Sequence, residues 1–320
     1  MSDLVSVGEI EDAAERLRGL VVRTPLVPFR GHPELSIKPE SLQPIGAFKL
    51  RGAFAAMTSL TPAEREPGVV AHSSGNHAQA VAYAARSLGI AAVLVIPHTA
   101  PAVKVRACRE LGAEVVFAEP DLKSRVAVTE RLAQAHGFAI IPPFDDARVI
   151  AGQGTIGLEI LADAPDVDVV LVPVGGGGLI SGIAAAIKAR RPQVKIVGVE
   201  PERVADARDS LRSGRRMTWP AERFGPTIAD ALTVQPVGEL PFAHMREYVE
   251  DIVTVDEGDL RNAVRALARD TRLIAEPGGA AATAAFLFRR EALPGGRNIV
   301  AILSGGNIDP GLLNEVLSER

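Results

Sequence analysis

Short runs of aliphatic, β-branched residues alternate with helix-length segments along most of this chain, and that rhythm restricts it to layered α/β folds. Val69 to Ala71, Ala91 to Ile96 and Glu114 to Phe117 read as strands, and Asn76 to Leu88 and Ala102 to Leu111 between them read as helices. Strands joined through a helix lie parallel to one another. A second series follows, with strands at Asp168 to Pro173, Val194 to Val199 and Asn298 to Leu303, and a helix at Leu179 to Arg190. The unbroken apolar character of Val169-Val170-Leu171-Val172 and Ile299-Val300-Ala301-Ile302-Leu303 predicts strands covered on both faces. Gly89 and Gly112 fall just past helical segments, where a left-handed cap favours glycine.

A chain of 320 residues exceeds the usual size of a single core, so a second lobe is expected. The formal net charge is −4, and the 35 basic residues are scattered without a run that would track a phosphate backbone, which argues against nucleic acid as a partner. The longest apolar stretch, Ile90 to Pro97, has the length of a buried strand, so no membrane span is predicted. Met1 to Leu20 carries Asp3, Glu9, Glu11, Asp12 and Glu15 in a helical pattern instead of the basic end and apolar core of a secretion signal. A cytoplasmic protein is therefore expected. Cys108 is the single cysteine and reads as a buried, inert thiol on a helix.

Four glycine-rich turns punctuate this frame: Gly46-Ala47-Phe48-Lys49-Leu50-Arg51-Gly52, Ser73-Ser74-Gly75-Asn76-His77, Gly175-Gly176-Gly177-Gly178 and Ser304-Gly305-Gly306-Asn307. Singly, each is weak, since lysine is ordinarily a solvated charge and glycine runs are ordinarily turns. Gly175 to Gly178 follow an apolar strand and open the helix at Leu179, an arrangement that points backbone N–H groups and a helix dipole at an anion. A dinucleotide reading of this turn also needs an acidic residue about twenty positions on, for which Glu200 is the one suggestive match. Ser73 to His77 stand at another strand-to-helix junction, where free N–H groups bind a carboxylate. Phe48 and Leu50 give Lys49 an apolar setting, which lowers an amine pKa and makes the neutral nucleophile accessible.

Together and in this order, the four motifs resemble the serine/threonine dehydratase and serine racemase family of pyridoxal-phosphate (PLP) enzymes, the tryptophan synthase beta-like fold type II, over nearly the whole chain. The resemblance implies an α/β fold of two lobes, each a mainly parallel open sheet flanked by helices. The small lobe, residues 68–145, would be inserted in a large lobe of residues 1–67 and 146–320, without the appended regulatory domain of the biosynthetic threonine dehydratases. Lys49 matches the family's Schiff-base lysine, with Phe48 beside it. Gly175, Gly176, Gly177, Gly178 and Leu179 match the phosphate cradle, and Asn76 the contact to the cofactor 3-hydroxyl. Ser304 matches the serine that faces the pyridine nitrogen. A neutral hydroxyl there makes the ring a weaker electron sink than a carboxylate would, which suits β-elimination.

By the same resemblance Ser73, Ser74, Gly75, Asn76 and His77 surround the substrate carboxylate, although His77 reads on its own as a structural residue at a helix start. Ser74 matches the residue with which the racemases return a proton to the opposite face. Phe144, in Phe144-Asp145-Asp146, looks like the dehydratases. Arg125 resembles an arginine that meets a distal carboxylate in the racemase and 3-hydroxyaspartate branch, whereas the residue pattern alone reads it as an exposed helical arginine. Ala231 stands where the family commonly has glycine. Glu200, Asp206 and the carbonyl of Val204 match a site for a divalent cation, Mg²⁺ or Ca²⁺. The activity implied is L-serine or L-threonine ammonia-lyase. Serine racemase and 3-hydroxyaspartate ammonia-lyase are the alternatives, and a homodimer or other homo-oligomer is the expected assembly.

Overall fold

A computed structural model describes residues 4–73, 75–220 and 222–319. Ten strands are found among them: β1 (Val27–Phe29), β2 (His32–Pro39), β3 (Val69–His72), β4 (Ala92–Pro97), β5 (Glu114–Ala118), β6 (Ala139–Ile140), β7 (Val169–Pro173), β8 (Lys195–Pro201), β9 (Asp251–Val255) and β10 (Ile299–Leu303). They form a six-stranded sheet in the order β1-β2-β10-β7-β8-β9 and a four-stranded sheet in the order β5-β4-β3-β6. Every pairing is parallel except β1 with β2. The helices that join consecutive parallel strands cover both sheets, which is the mixed α/β architecture expected from the alternating pattern.

Alternation along the strands decides which layer each side chain enters. In the large sheet Val169, Leu171, Ala301 and Leu303 face one core, shared with the helices Glu257–Thr271 and Pro277–Phe288. Val170, Val172, Val300 and Ile302 face the other, shared with the helices Ala147–Asp163 and Gly178–Arg190. All five residues of β7 and of β10 are buried, so neither face has room for a polar side chain. In the small sheet Val69, Ala71, Leu94 and Ile96 pack toward the helix Asn76–Leu88, while Val70, Val93 and Val95 face the helix Leu122–His136.

The helix Lys49–Ser59 packs between Asn76–Leu88 and Ala147–Asp163, and close backbone approach fixes its position. A Cβ built on Gly152 would lie 2.6 Å from the Arg51 carbonyl oxygen, so only glycine admits this approach of the two helices. The helix is also held by a buried ionic cluster that the sequence pattern did not single out. Arg51, fully buried, donates from Nε and Nη2 to Glu40 at 2.8 Å each and from Nη1 to Glu159 at 2.7 Å. Lys38 Nζ reaches Glu159 and the Thr24 carbonyl, both at 2.5 Å. Burial alone would push the Glu40 carboxyl up, yet the Arg51 charge and its hydrogen bonds hold it below the usual carboxylate value.

Gly89 adopts φ 67° as the left-handed cap of Asn76–Leu88, and Gly112 adopts φ 89° just past Ala102–Glu110. Cys108 is buried in the latter helix, and burial pushes its thiol up to about 11, far from a reactive thiolate. Among the described residues no helix is long and apolar enough to cross a membrane.

Candidate active site

Three of the four glycine-rich turns are tied to one another by hydrogen bonds, and the fourth reaches them through an aromatic ring. The Phe48 N–H donates to the Ser304 carbonyl at 3.0 Å, the Gly306 N–H donates to the Gly46 carbonyl at 2.9 Å, and Ala47 bridges to Gly305. The lysine turn and the turn ending β10 are thereby zipped together. Asn76, the first residue of its helix, adds the third turn: its Oδ1 accepts from Asn307 Nδ2 at 2.8 Å, and that same amide nitrogen donates to the Ile45 carbonyl at 2.8 Å.

Lys49 opens the helix Lys49–Ser59, and its Nζ donates to the Pro143 carbonyl at 2.6 Å. The amine lies 5.1 Å from the centre of the Phe48 ring and 6.0 Å from that of Phe144. Loss of hydration in this aromatic setting pulls its pKa down to about 8, as the flanking Phe48 and Leu50 led one to expect. The Phe144 ring completes the link to the Gly175–Gly178 turn, since a Cβ on Gly176 would fall 2.4 Å from the ring and one on Gly178 would fall 3.0 Å from the Phe144 Cβ.

Gly177 caps the helix Gly178–Arg190 at φ 88°, with Val237 and Pro241 closing over the place a side chain would take. Among the described residues, the N–H groups of Gly175, Gly176, Gly177, Gly178 and Leu179 donate to no protein acceptor. Five free donors at a helix N-terminus, with no side chain in the way, fit a dianionic phosphate. The Ser304 hydroxyl, 5% exposed at the end of β10, likewise has no protein partner among the described residues. An anion cradle, a hydroxyl free to meet a ring nitrogen and an amine of lowered pKa are the donor set that pyridoxal phosphate requires.

Ser73 and Gly75 flank the start of the helix Asn76–Leu88, where the Gly75 N–H donates to the Ser73 hydroxyl at 3.2 Å. Ser74 lies outside the described residues. The His77 ring is turned away from the site: it is 4% exposed and its Nε2 donates to the Ile141 carbonyl at 2.9 Å. Burial, reinforced by the nearby Lys49 charge, pulls it down to about 3, so it stays neutral. The imidazole thus braces the loop that receives Lys49, in keeping with a structural residue at a helix start, and leaves the His77 backbone as the part that can meet a substrate carboxylate.

Arg125 corrects the reading of an exposed helical arginine. It is half-buried on the helix Leu122–His136, and its Nε is buried without a hydrogen-bond partner among the described residues. Desolvation pulls the guanidinium down, and its charge adds to burial in lowering His72, the last residue of β3. Ala231 lies in the short 3-10 helix Asp230–Leu232, with its carbonyl oxygen 3.5 Å from where a Gly175 Cβ would be and its own Cβ 3.5 Å from that of a Gly278 side chain.

Glu200, Val204 and Asp206 form a separate constellation after β8. Glu200 accepts from the Ala207 N–H at 3.1 Å and the Arg208 N–H at 2.8 Å, and so caps the helix Asp206–Ser213. Asp206 is 2% exposed, and its Oδ2 has no partner among the described residues. Burial pushes Asp206 up to about 7, and burial together with the Asp206 charge raises Glu200 well above its usual value. Among the described residues no group of three or more histidine, cysteine or acidic side chains is placed to hold a metal ion, so protein donors here amount to the two carboxylates and backbone carbonyls.

Two residues join the site that the motifs did not single out. Pro143 supplies the acceptor for Lys49, and Glu276, just before the helix Pro277–Phe288, accepts from Asn76 Nδ2 at 2.7 Å. The run Glu276-Pro277-Gly278-Gly279 marks a helix start, which is the one local signal Glu276 gives.

Comparison with known proteins identifies the family. Residues 17–305 match the family model described as pyridoxal-phosphate dependent enzyme. The catabolic L-threonine dehydratase TdcB of Escherichia coli is 41% identical over 98% of this chain and 96% of its own length. The L-threo-3-hydroxyaspartate ammonia-lyase of Saccharomyces cerevisiae is 40% identical over 94% of this chain and 93% of its own. The solved structure of maize serine racemase superimposes with a TM-score of 0.92 at 36% identity, covering 98% of this chain and 97% of that one. With a family match spanning most of the chain, these similarities over nearly full length and a fold that assembles the lysine, cradle and serine turns, the chain belongs to the family of pyridoxal-phosphate-dependent enzymes.

Proposed function

We propose that the chain is an ammonia-lyase that converts L-serine or L-threonine to the corresponding 2-oxo acid and ammonia. The observation that carries this reading is the half-buried Lys49 amine, lowered to about 8 and linked through Phe144 to the free N–H groups of Gly175 to Leu179. Similarity to TdcB supports the choice of substrate. Pyridoxal phosphate, when bound, supplies an aldehyde that captures amines and a ring that acidifies the substrate α-proton.

In this reading the Gly175 to Leu179 N–H groups hold the phosphate, Phe48 flanks the amine, and the Ser304 hydroxyl meets the pyridine nitrogen. Asn76 meets the ring 3-hydroxyl. Ser73, Ser74, Gly75 and the backbone at His77 receive the substrate carboxylate at the positive end of the helix Asn76–Leu88. Lys49 Nζ is the group that would hold the cofactor covalently at rest and, once free, would take the substrate α-proton. The β-hydroxyl leaves as water, and water returns to release ammonia and the oxo acid, so the net change is loss of ammonia. The half-buried Arg125, with an unpartnered Nε, favours a second substrate, 3-hydroxyaspartate, whose distal carboxylate would pair with it.

We also place a small lobe at residues 68–145, a reading supported by the separate four-stranded sheet. A hard cation, Mg²⁺ or Ca²⁺, at Glu200, Asp206 and the Val204 carbonyl would satisfy the orphaned Asp206 Oδ2. A cytoplasmic homo-oligomer completes the proposal, for which the buried, unpaired Cys108 and the family resemblance are the support.

The test assays 2-oxo acid and D-amino acid together from L-serine, L-threonine and 3-hydroxyaspartate. Oxo acid from serine or threonine, absent in Lys49→Ala, is the expected result. Oxo acid formation that survives Lys49→Ala would overturn the proposal, and abundant D-serine that disappears in Ser74→Ala would replace it with a racemase.

A further inference from the structure

We propose that Glu276 is a positioning residue of this site, whose carboxyl fixes the orientation of the Asn76 amide against the turn Ser304 to Asn307. The inference rests on the placement of Asn76 beside the cofactor argued above. Glu276 precedes the helix Pro277–Phe288, but its side chain makes no cap to that helix. Its backbone N–H donates to the Gly305 carbonyl at 3.0 Å, and its Oε1 would lie 2.3 Å from a Cβ on Gly305, so the carboxyl lies directly over the residue after Ser304. From there Oε1 accepts from Asn76 Nδ2 at 2.7 Å.

A carboxylate only accepts hydrogen bonds, whereas an amide both donates and accepts. Glu276 therefore admits only the Nδ2 end of Asn76. That leaves Asn76 Oδ1 for Asn307 Nδ2, whose nitrogen is itself committed to the Ile45 carbonyl. One acceptor-only group thus determines the direction of a chain of hydrogen bonds running across three of the four turns. Glu276 is 6% exposed and, among the described residues, has no cation within hydrogen-bond reach. A neutral glutamine would be less costly to bury at this position, so the ionisable group is not explained by stability.

The charged and polar groups that face the carboxyl come from separate elements. Asn76 heads its own helix, Asp230 lies in the 3-10 helix Asp230–Leu232, Lys104 is on Ala102–Glu110, and the Asn307 N–H belongs to the turn. Lys104 Nζ and Asp230 Oδ2 are themselves paired at 3.4 Å. Burial raises Glu276 to about 7, opposed by the Asn76 hydrogen bond, with Asp230 adding to the rise and Lys104 subtracting from it. Above that pH the carboxylate enforces the Asn76 orientation, and below it the protonated acid also donates and the constraint relaxes.

The experiment compares the cofactor-loaded protein with its Glu276→Gln, Glu276→Ala and Asn76→Ala variants by visible absorbance from pH 6 to 8.5 and by cofactor dissociation constant. Glu276→Ala is expected to weaken cofactor binding about tenfold, the worth of a charge-assisted hydrogen bond, and to change the balance of visible bands. Glu276→Gln is expected to bind within about threefold of the parent, because it keeps an acceptor, yet to lose the change in bands expected of the parent between pH 6 and 8. Parent-like spectra across this pH range in both Glu276 variants, with Asn76→Ala altered, would overturn the role of Glu276 while leaving the site intact. A parent-like spectrum in Asn76→Ala would remove Asn76 from the cofactor and overturn both readings. Should Glu276→Ala fail to fold, the pH dependence of Glu276→Gln decides alone.

Discussion

Lys49 Nζ is held 2.6 Å from the Pro143 carbonyl oxygen, while two residues earlier in the same loop the Ile141 carbonyl accepts from His77 at 2.9 Å. The loop is therefore gripped by the helix Lys49–Ser59 on one side and by Asn76–Leu88 on the other. Between them they set where the amine rests before it meets a carbonyl compound.

The first prediction follows from that amine. Its pKa is lowered to about 8, so the neutral fraction grows as pH rises toward 8 and saturates beyond it. Capture of pyridoxal phosphate by the cofactor-free protein should accelerate about tenfold per pH unit between 6 and 7 and level off above 8. Stopped-flow absorbance measures this. A rate still climbing above pH 10 would mean that Lys49 titrates as an ordinary solvated lysine.

The glycine cradle yields a second prediction. A methyl at Gly176 would meet the Phe144 ring at 2.4 Å and force either the ring or the turn to move. Gly176→Ala should cost about 1–3 kcal/mol of stability, as overpacking does, and should weaken cofactor binding at least tenfold if the turn is what shifts. Gly75, where a Cβ meets nothing within 4 Å, is the control, and Gly75→Ala should leave stability nearly unchanged. Equal losses of stability at both positions would show that close packing is not what makes glycine necessary at 176.

Much of this arrangement was legible in the sequence because strand burial and turn chemistry are local. The runs around Val169 and Ile299 are apolar at every position, and in the fold each becomes a strand with no exposed residue. Lys49, Gly175 and Ser304 stood out from their turns as candidates, and the fold brings those turns together. What could not be read were partnerships across long separations. Arg51 with Glu159 spans 108 positions and Asn76 with Glu276 spans 200, and polar residues so separated give no hint that they meet. Arg125 was misread for the same reason, since its half-burial on the helix Leu122–His136 comes from tertiary packing.

The buried ionic cluster carries the third prediction. Arg51→Met would take from Glu40 and Glu159 the guanidinium they share, leaving Lys38 paired with Glu159 and Glu40 with the neutral donors Thr24 and Gln43. Removing one member of such a buried network typically costs about 3–5 kcal/mol. Urea unfolding of the cofactor-free protein should show that loss. The Arg51→Met, Glu40→Gln double variant should recover part of it, because one uncompensated buried charge is gone. Recovery by the double variant together with weak cofactor binding would show that the cluster serves mainly to aim the helix that begins at Lys49.

The last prediction concerns Glu200 and Asp206. Burial raises both carboxyls, Asp206 to about 7 with Asp209 adding to the rise, and Glu200 further through the Asp206 charge, so in the cation-free protein folding stability falls as pH rises from the unfolded carboxyl range through 7. A bound Mg²⁺ or Ca²⁺ requires both ionised and compensates that charge, so its stabilising effect should increase over the same interval. Melting temperatures with and without millimolar cation should nearly coincide at pH 5.5 and separate clearly at pH 8. Asp206→Asn removes one ligand charge and should abolish the separation while raising the cation-free melting temperature at pH 8. Coincident melting curves at pH 8 in the unmodified protein would leave the orphaned Asp206 Oδ2 as a structural acid, and the constellation would then be a helix cap without a metal.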